Sequence, residues 1–200
     1  MVEEQLRARG IGDERVLEAM QRVPRERFVV PELRSHAYDD VALPIGCEQT
    51  ISQPYMVARI CAELALRGDE KVLDVGTGSG YQAAVLAEIA RQVYSLDVVA
   101  PLVRTATANL GALGYKNIET RIGDGYGGWP EKAPFDAIVV AATAPHIPPA
   151  LVAQLKPGGR MVIPVGDWRQ DLKLVTRRAD GGYDERDVLP VRFVPLVFLL

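Results

Sequence analysis

The chain has 200 residues, enough for one domain with a substantial buried core. Apolar residues make up 48% and charged residues 24%, a composition typical of folded proteins rather than disordered or fibrous ones. Its 23 basic and 26 acidic side chains give a net charge of −3 and no broad positive surface for DNA or RNA. We therefore expect no nucleic-acid partner.

The cysteines and the two ends of the chain indicate the cellular compartment of the protein. Cys47 and Cys61 are too far apart for a CxxC motif and too few for a disulfide framework or a zinc site. The charged N-terminus lacks the apolar core of a signal peptide, and no apolar run reaches the ~18 residues that a membrane helix needs. The apolar tail at 194–200 is predicted to be a buried strand. We expect a cytoplasmic protein without a metal or a membrane partner.

The first seventy residues predict helices and loops. Apolar residues at helical spacing indicate one helix over 11–23 and a second, amphipathic helix over 55–66. Gly68 supplies the stop signal of the second helix. Residues 1–70 are therefore predicted to form an N-terminal helical and lid segment.

A different pattern follows Gly68, where apolar strands alternate with helix-like segments. This alternation predicts a doubly wound, Rossmann-like α/β fold with a mostly parallel sheet covered on both faces. The last two apolar stretches are joined by turn residues without room for a helix, which predicts an antiparallel C-terminal hairpin. We expect 71–200 to be a cofactor-binding core and 1–200 to be a single domain. The predicted strands are 71–76, 92–97, 117–124, 135–142, 159–166, 172–178 and 189–198.

The strongest local signal is the glycine-rich sequence VLDVGTGSGY at 72–81, between a strand and a helix. Gly76, Gly78 and Gly80 remove side chains where the chain turns sharply, so that a nucleotide-like ligand can approach the backbone. Tyr81 stands where a dinucleotide fingerprint has its third glycine, which disfavours NAD and favours S-adenosylmethionine. Taken alone, the motif is also compatible with a plain strand-to-helix turn.

Two acidic residues end the next two predicted strands at the same edge of the sheet. Asp97 lies about twenty residues after the glycines, where a carboxylate can accept hydrogen bonds from both hydroxyls of a ribose. Asp124 could accept hydrogen bonds from an adenine amino group. The alternatives are a helix N-cap for Asp97 and a turn residue for Asp124.

The fourth strand ends in AATAPHIPP, at 141–149. This sequence lacks the Asn-Pro-Pro-aromatic pattern with which many nitrogen-methylating enzymes hold an amino group. An oxygen acceptor is therefore favoured over a nitrogen acceptor.

The sequence resembles the protein-L-isoaspartate O-methyltransferase family, part of the class I S-adenosylmethionine-dependent methyltransferases, nearly from end to end. The glycine motif is common to many methyltransferases, whereas TISQP (50–54), GDGYGGWPE (123–131) and RFVPL (192–196) are specific. The resemblance implies transfer of a methyl group from S-adenosyl-L-methionine to the free α-carboxylate of L-isoaspartyl residues in damaged proteins and peptides. The product cofactor would be S-adenosyl-L-homocysteine, and the methyl ester would cyclise to a succinimide that partly reopens to aspartate.

The resemblance also implies roles for individual residues. The family's active-site hydroxyl falls on Ser52, with Thr50 and Gln53 beside it as substrate-binding residues. The extended peptide would lie near the C-terminal strand, at Val194 and Pro195. The implied cofactor-binding residues are Asp74, Gly76, Thr77, Gly78, Ser79, Gly80, Asp97, Asp124 and Gly125.

The implied chemistry needs no general base, because a carboxylate with a pKa near ~4 is already ionised at neutral pH. Neither His36 nor His146 is then required. The family usually has glycine at the position of Glu48, whose charge would repel an anionic substrate if it pointed inward.

We expect the protein to be a monomer. Two other functions stay open at this stage. One is an O-methyltransferase of the same fold acting on another carboxylate, a modified peptide or a small molecule. The other is a non-catalytic module that binds the cofactor.

Overall fold

A seven-stranded sheet runs through the computed structural model, which describes residues 1–197. The strands are β1 (Leu43–Gly46), β2 (Gln49–Ile51), β3 (Lys71–Val75), β4 (Gln92–Asp97), β5 (Ile118–Ile122), β6 (Phe135–Val140), β7 (Leu155–Val165), β8 (Gln170–Arg177) and β9 (Tyr183–Val191). The helices are α1 (Glu14–Arg22), α2 (Pro54–Leu64), α3 (Tyr81–Ile89), α4 (Ala100–Ala112) and α5 (Pro149–Gln154). Strands β1 and β2 form a separate antiparallel hairpin.

The sheet has the order β5-β4-β3-β6-β7-β8-β9, and its first five strands are parallel. The chain moves outward from β3 to β5 and then returns to β6 on the other side of β3. The carboxyl ends of β3, β4, β5 and β6 consequently share one edge, where ligands bind in doubly wound folds. The predicted fold class is confirmed.

The C-terminal hairpin forms, but its second strand differs from the prediction. Strand β9 starts six residues before the predicted 189–198 segment and ends at Val191. The prediction was wrong because 183–187 are exposed on both faces of an edge strand and carry no apolar alternation. The buried strand predicted for the tail is also wrong for 194–197, where only a single bridge pairs Pro195 with Thr143. Residues 198–200 lie outside the described part of the chain.

The N-terminal segment packs on the sheet through one continuous apolar cluster. Helix α1 begins after Asp13, whose carboxylate accepts a hydrogen bond from the amide of Arg15 at 3.0 Å. Its buried face includes Leu17 and Met20, which belong to the same cluster as Val139 of β6. Within residues 1–197, no helix is long and apolar enough to cross a membrane.

A buried polar network joins β3 to β4 and α3. Asp74 is fully buried, and its two carboxylate oxygens accept hydrogen bonds from Ser95 Oγ at 2.7 Å and Gln82 Nε2 at 2.9 Å. Thr77 Oγ1 lies 2.7 Å from Ser95 Oγ and extends the network into the loop after β3. Burial outweighs these hydrogen bonds and raises the pKa of Asp74 to about 6.

Asp74→Asn is expected to remove a pH dependence of stability. The native carboxyl binds its proton more tightly than the unfolded chain does, so this contribution is present below about pH 4 and lost as pH rises through about 6. The free energy of unfolding of the wild type, relative to Asp74→Asn, should fall by roughly 3 kcal/mol across this range in urea titrations. Asp69→Asn, at an exposed position, is the control. Equal pH profiles for the wild type and Asp74→Asn would contradict the assignment.

Candidate functional site

The loop after β3, at the shared edge of the sheet, has glycine at three of its five positions. Gly76, Gly78 and Gly80 have φ angles of +99°, +50° and +89°, which side-chain-bearing residues rarely adopt. The amides of Gly76 and Thr77 both donate to the carbonyl of Leu96, at 2.8 and 3.2 Å. The loop is thereby bound to the end of β4 and has a defined position.

Asp97, the last residue of β4, continues this attachment. Its Oδ2 accepts a hydrogen bond from the amide of Gly78 at 2.9 Å, and its Oδ1 accepts one from the amide of Val99 at 2.9 Å. A carboxylate has about four acceptor positions, so both oxygens can accept further hydrogen bonds. Asp97 lines the cavity described below and can therefore bind ligand hydroxyls while holding the loop.

The turn after β5 brings Gly125 to the same edge. Asp124 Oδ1 accepts a hydrogen bond from the amide of Tyr126 at 2.9 Å, the turn interaction considered as its alternative role. A Cβ atom at Gly125 would lie 2.7 Å from Leu196 Cδ1 and 2.8 Å from Val75 Cγ1. Only glycine fits this position without movement of its neighbours.

The β1–β2 hairpin directs its turn away from the cavity. Cys47 and Glu48 form the two-residue turn with φ angles of +53° and +57°, as a type I′ turn requires. Both residues are exposed and neither lines the cavity. The charge of Glu48 therefore does not face a substrate bound there.

The three polar residues around the end of β2 are free to bind a ligand. Thr50, Ser52 and Gln53 line the cavity, and their side chains make no hydrogen bond or ion pair within residues 1–197. Pro54 starts α2 and holds Gln53 in an extended conformation. The free hydroxyls and amide thus line the same cavity as the glycine loop.

The C-terminal segment closes the third side of the cavity. Val194 O accepts a hydrogen bond from the amide of Thr143 at 2.8 Å. Gln170 binds both backbone groups of Phe193, accepting from the amide at 2.7 Å and donating to the carbonyl at 3.2 Å. These contacts place Val194 and Pro195 on the cavity wall.

The cavity has a volume of about 720 Å³, within the range of small-molecule and cofactor sites. Of the site residues implied by sequence, all but Asp74, Gly80 and Asp124 line it. Sequence reasoning missed contributions from the start of α2, from the residues after β4 and from the end of β9. The residues missed include Arg9, Tyr55, Met56, Val98, Val99, Leu189 and Pro190.

The two histidines lie away from the cavity lining. His36 is exposed, and its Nδ1 lies 2.8 Å from Asp39 Oδ2. His146 is exposed in the loop after β6. Neither imidazole is placed to take a proton from a group bound between Ser52 and the glycine loop.

Known proteins share both the sequence and this architecture. The family model for protein-L-isoaspartate(D-aspartate) O-methyltransferase matches residues 1–199. A protein-L-isoaspartate O-methyltransferase of Opitutus terrae is 57% identical over 197 residues, covering 98% of this chain and 84% of the relative. One of Gloeobacter violaceus is 50% identical over 197 residues, covering 98% and 96%.

Solved structures agree with these relatives. A protein-L-isoaspartate O-methyltransferase structure has a TM-score of 0.88 and 29% identity, covering 100% of this chain and 67% of that one. A Plasmodium falciparum structure assigned to the same enzyme, in complex with S-adenosyl-L-homocysteine, has a TM-score of 0.85 and 28% identity, covering 98% and 96%. This chain belongs to the protein-L-isoaspartate(D-aspartate) O-methyltransferase family.

Proposed function

We propose that this protein transfers a methyl group from S-adenosyl-L-methionine to the free α-carboxylate of L-isoaspartyl residues in damaged proteins and peptides, and so starts their repair. One observation carries the proposal. The glycine loop with Asp97 lines the same cavity as three polar side chains, Thr50, Ser52 and Gln53. Such a cavity suits a nucleotide-like methyl donor on one side and an acceptor that brings its own negative charge on the other.

The residues on the side of the glycine loop fit the cofactor. Its methionine end would lie on the backbone of 76–80, where the three glycines permit close approach. Asp97 would accept hydrogen bonds from the ribose hydroxyls, and the turn of Asp124 and Gly125 would border the adenine. Asp74 would act from beneath the loop, through the buried network. The bound cofactor supplies a sulfonium methyl group, which leaves S-adenosyl-L-homocysteine after transfer.

The residues on the acceptor side orient a nucleophile rather than create one. The substrate carboxylate is ionised at neutral pH, so no proton has to be removed before attack. In our proposal the Ser52 hydroxyl donates a hydrogen bond to one carboxylate oxygen, and the other oxygen forms the new bond to the methyl carbon. Thr50 and Gln53 would fix the adjoining peptide groups. The rate then depends on alignment and on exclusion of water from the two opposite charges.

The protein substrate would bind in extended form beside 192–196, the C-terminal segment that lines the cavity. Phe193 N and O are already occupied by Gln170, so the peptide would use other backbone groups of this segment. A monomer and a cytoplasmic location stay predictions, as does the lack of a nucleic-acid partner, which the net charge of −3 supports. The shared apolar cluster supports the prediction of one domain over 1–200.

A matched pair of peptides tests the function. The peptides have the same sequence and differ only in one isoaspartyl or aspartyl residue, and methyl incorporation from labelled cofactor is measured. We expect the isoaspartyl peptide to be the strongly preferred acceptor. Its free carboxylate is attached to Cα, and its backbone is one carbon longer because it runs through Cβ. Equal labelling of both peptides would refute the proposal. Labelling of small molecules from an extract, without labelling of peptides, would favour the broader O-methyltransferase function.

Ser52→Ala is expected to lower kcat for the isoaspartyl peptide by about tenfold to a hundredfold, the usual value of a hydrogen bond to a charged group. Affinity for S-adenosyl-L-homocysteine, measured by calorimetry, should be unchanged because Ser52 faces the acceptor. Ser35→Ala is the control, since Ser35 is exposed and does not line the cavity. An unchanged kcat in Ser52→Ala would return the hydroxyl to a purely structural role.

A further inference from the structure

Arg25 lies behind the acceptor side of the cavity and is fully buried. Its Nε donates a hydrogen bond to Ala37 O at 2.7 Å, and its Nη2 donates one to Ser52 O at 2.8 Å. The guanidinium therefore holds the peptide group of the residue whose hydroxyl we place on the substrate. A single side chain fixes two parts of the N-terminal segment that are fifteen residues apart in sequence.

Arg25 forms no ion pair within residues 1–197, and the Asp40 carboxylate acts on its charge only from a distance. Within the same residues, its Nη1 is buried without a hydrogen-bond partner. Its Cζ lies 4.7 Å from the centre of the Tyr81 ring, whose hydroxyl is directed to Met20 Sδ at 3.6 Å. A buried and unpaired charge is costly, and proteins keep such groups mainly at functional sites.

The neighbours of Arg25 belong to both sides of the cavity. Ser52 lies on the acceptor side, whereas Tyr81 begins α3 directly after the glycine loop and also lines the cavity. The guanidinium thus lies between Ser52 on the acceptor side and Tyr81, which follows the glycine loop. Its position allows it to fix the acceptor side of the cavity relative to the side of the glycine loop.

Among the described residues, two cationic side chains line the cavity itself, Arg9 and Arg192. Neither is equivalent to Arg25. Arg9 forms an ion pair with Asp40, which neutralises its charge. Arg192 is exposed, so water screens its field. Among the described residues Arg25 is buried and has no carboxylate paired directly with it, and the field of a buried charge is screened much less.

We propose that Arg25 is a positioning residue for the acceptor, which acts through Ser52: it fixes the Ser52 peptide group and supplies a positive charge that favours an anionic acceptor. The inference rests on the proposed function, because it assumes that the acceptor is a carboxylate. The charge would favour the carboxylate when it binds, and the hydrogen bond would keep the Ser52 hydroxyl directed at it. Neither effect would act on cofactor affinity.

The test compares two peptide ligands in the presence of S-adenosyl-L-homocysteine. One is the isoaspartyl peptide, and the other is the same peptide with a neutral α-carboxamide in place of the carboxylate. The ratio of their dissociation constants measures the preference for negative charge. It is measured in the wild type, Arg25→Met, Arg25→Lys and Arg192→Met, together with kcat and the affinity for S-adenosyl-L-homocysteine.

We expect Arg25→Met to lower the preference for the carboxylate by about tenfold or more and to leave cofactor affinity unchanged. Arg25→Lys keeps the charge but cannot reach both carbonyls, so it should keep the preference and lose kcat. If Arg25→Met does not fold, Arg25→Lys provides the test. A wild-type kcat in Arg25→Lys, or loss of its preference for the carboxylate, would overturn the proposal. An unchanged preference in Arg25→Met, or a loss confined to Arg192→Met, would overturn it too. A wild type that does not prefer the carboxylate would instead count against the proposed function itself.

Discussion

The attachment of the glycine loop to the end of β4 is the constraint on which the rest of the site depends. Two amides of the loop donate to Leu96 O and a third donates to Asp97 Oδ2, so the loop cannot move independently of the sheet. The Asp74–Ser95–Thr77 network secures the same loop from beneath. A loop with three glycines would otherwise be costly to order, because glycine loses the most conformational freedom on folding. Here its conformation is determined by neighbouring strands.

The acceptor side is held by different means, because it comes from a segment without regular periodicity. Pro54 fixes the direction in which the chain enters α2, and Arg25 binds the carbonyl of Ser52. Among the residues that the structure describes, the side chains of Thr50, Ser52 and Gln53 are left without hydrogen-bond partners. Backbone groups of this segment are hydrogen-bonded and hold it in place, whereas the side-chain hydroxyls and amide stay available for the substrate.

The sequence predicted the sheet well where strands are buried on both faces, since β3 and β6 are continuous apolar runs flanked by turn residues. It failed for β9, an exposed edge strand whose polar residues carry no such pattern. Local motifs located the glycine loop and Asp97, but they could not show that Asp74 points into the interior. Arg9 and Arg25 were missed because they reach the site only through tertiary packing. The position of Glu48 outside the cavity lining likewise depends on a turn whose backbone φ angles no sequence pattern specified.

The central claim is that the acceptor arrives ionised and that the protein orients it without removing a proton. Single-turnover methyl transfer to the isoaspartyl peptide, measured in H₂O and in D₂O between about pH 7 and about pH 9, tests this claim directly. We expect the same rate in both solvents and no change with pH, because the carboxylate is fully ionised throughout. A slower rate in D₂O, together with a rate that rises through an ionisation in this range, would contradict the claim and require a general base.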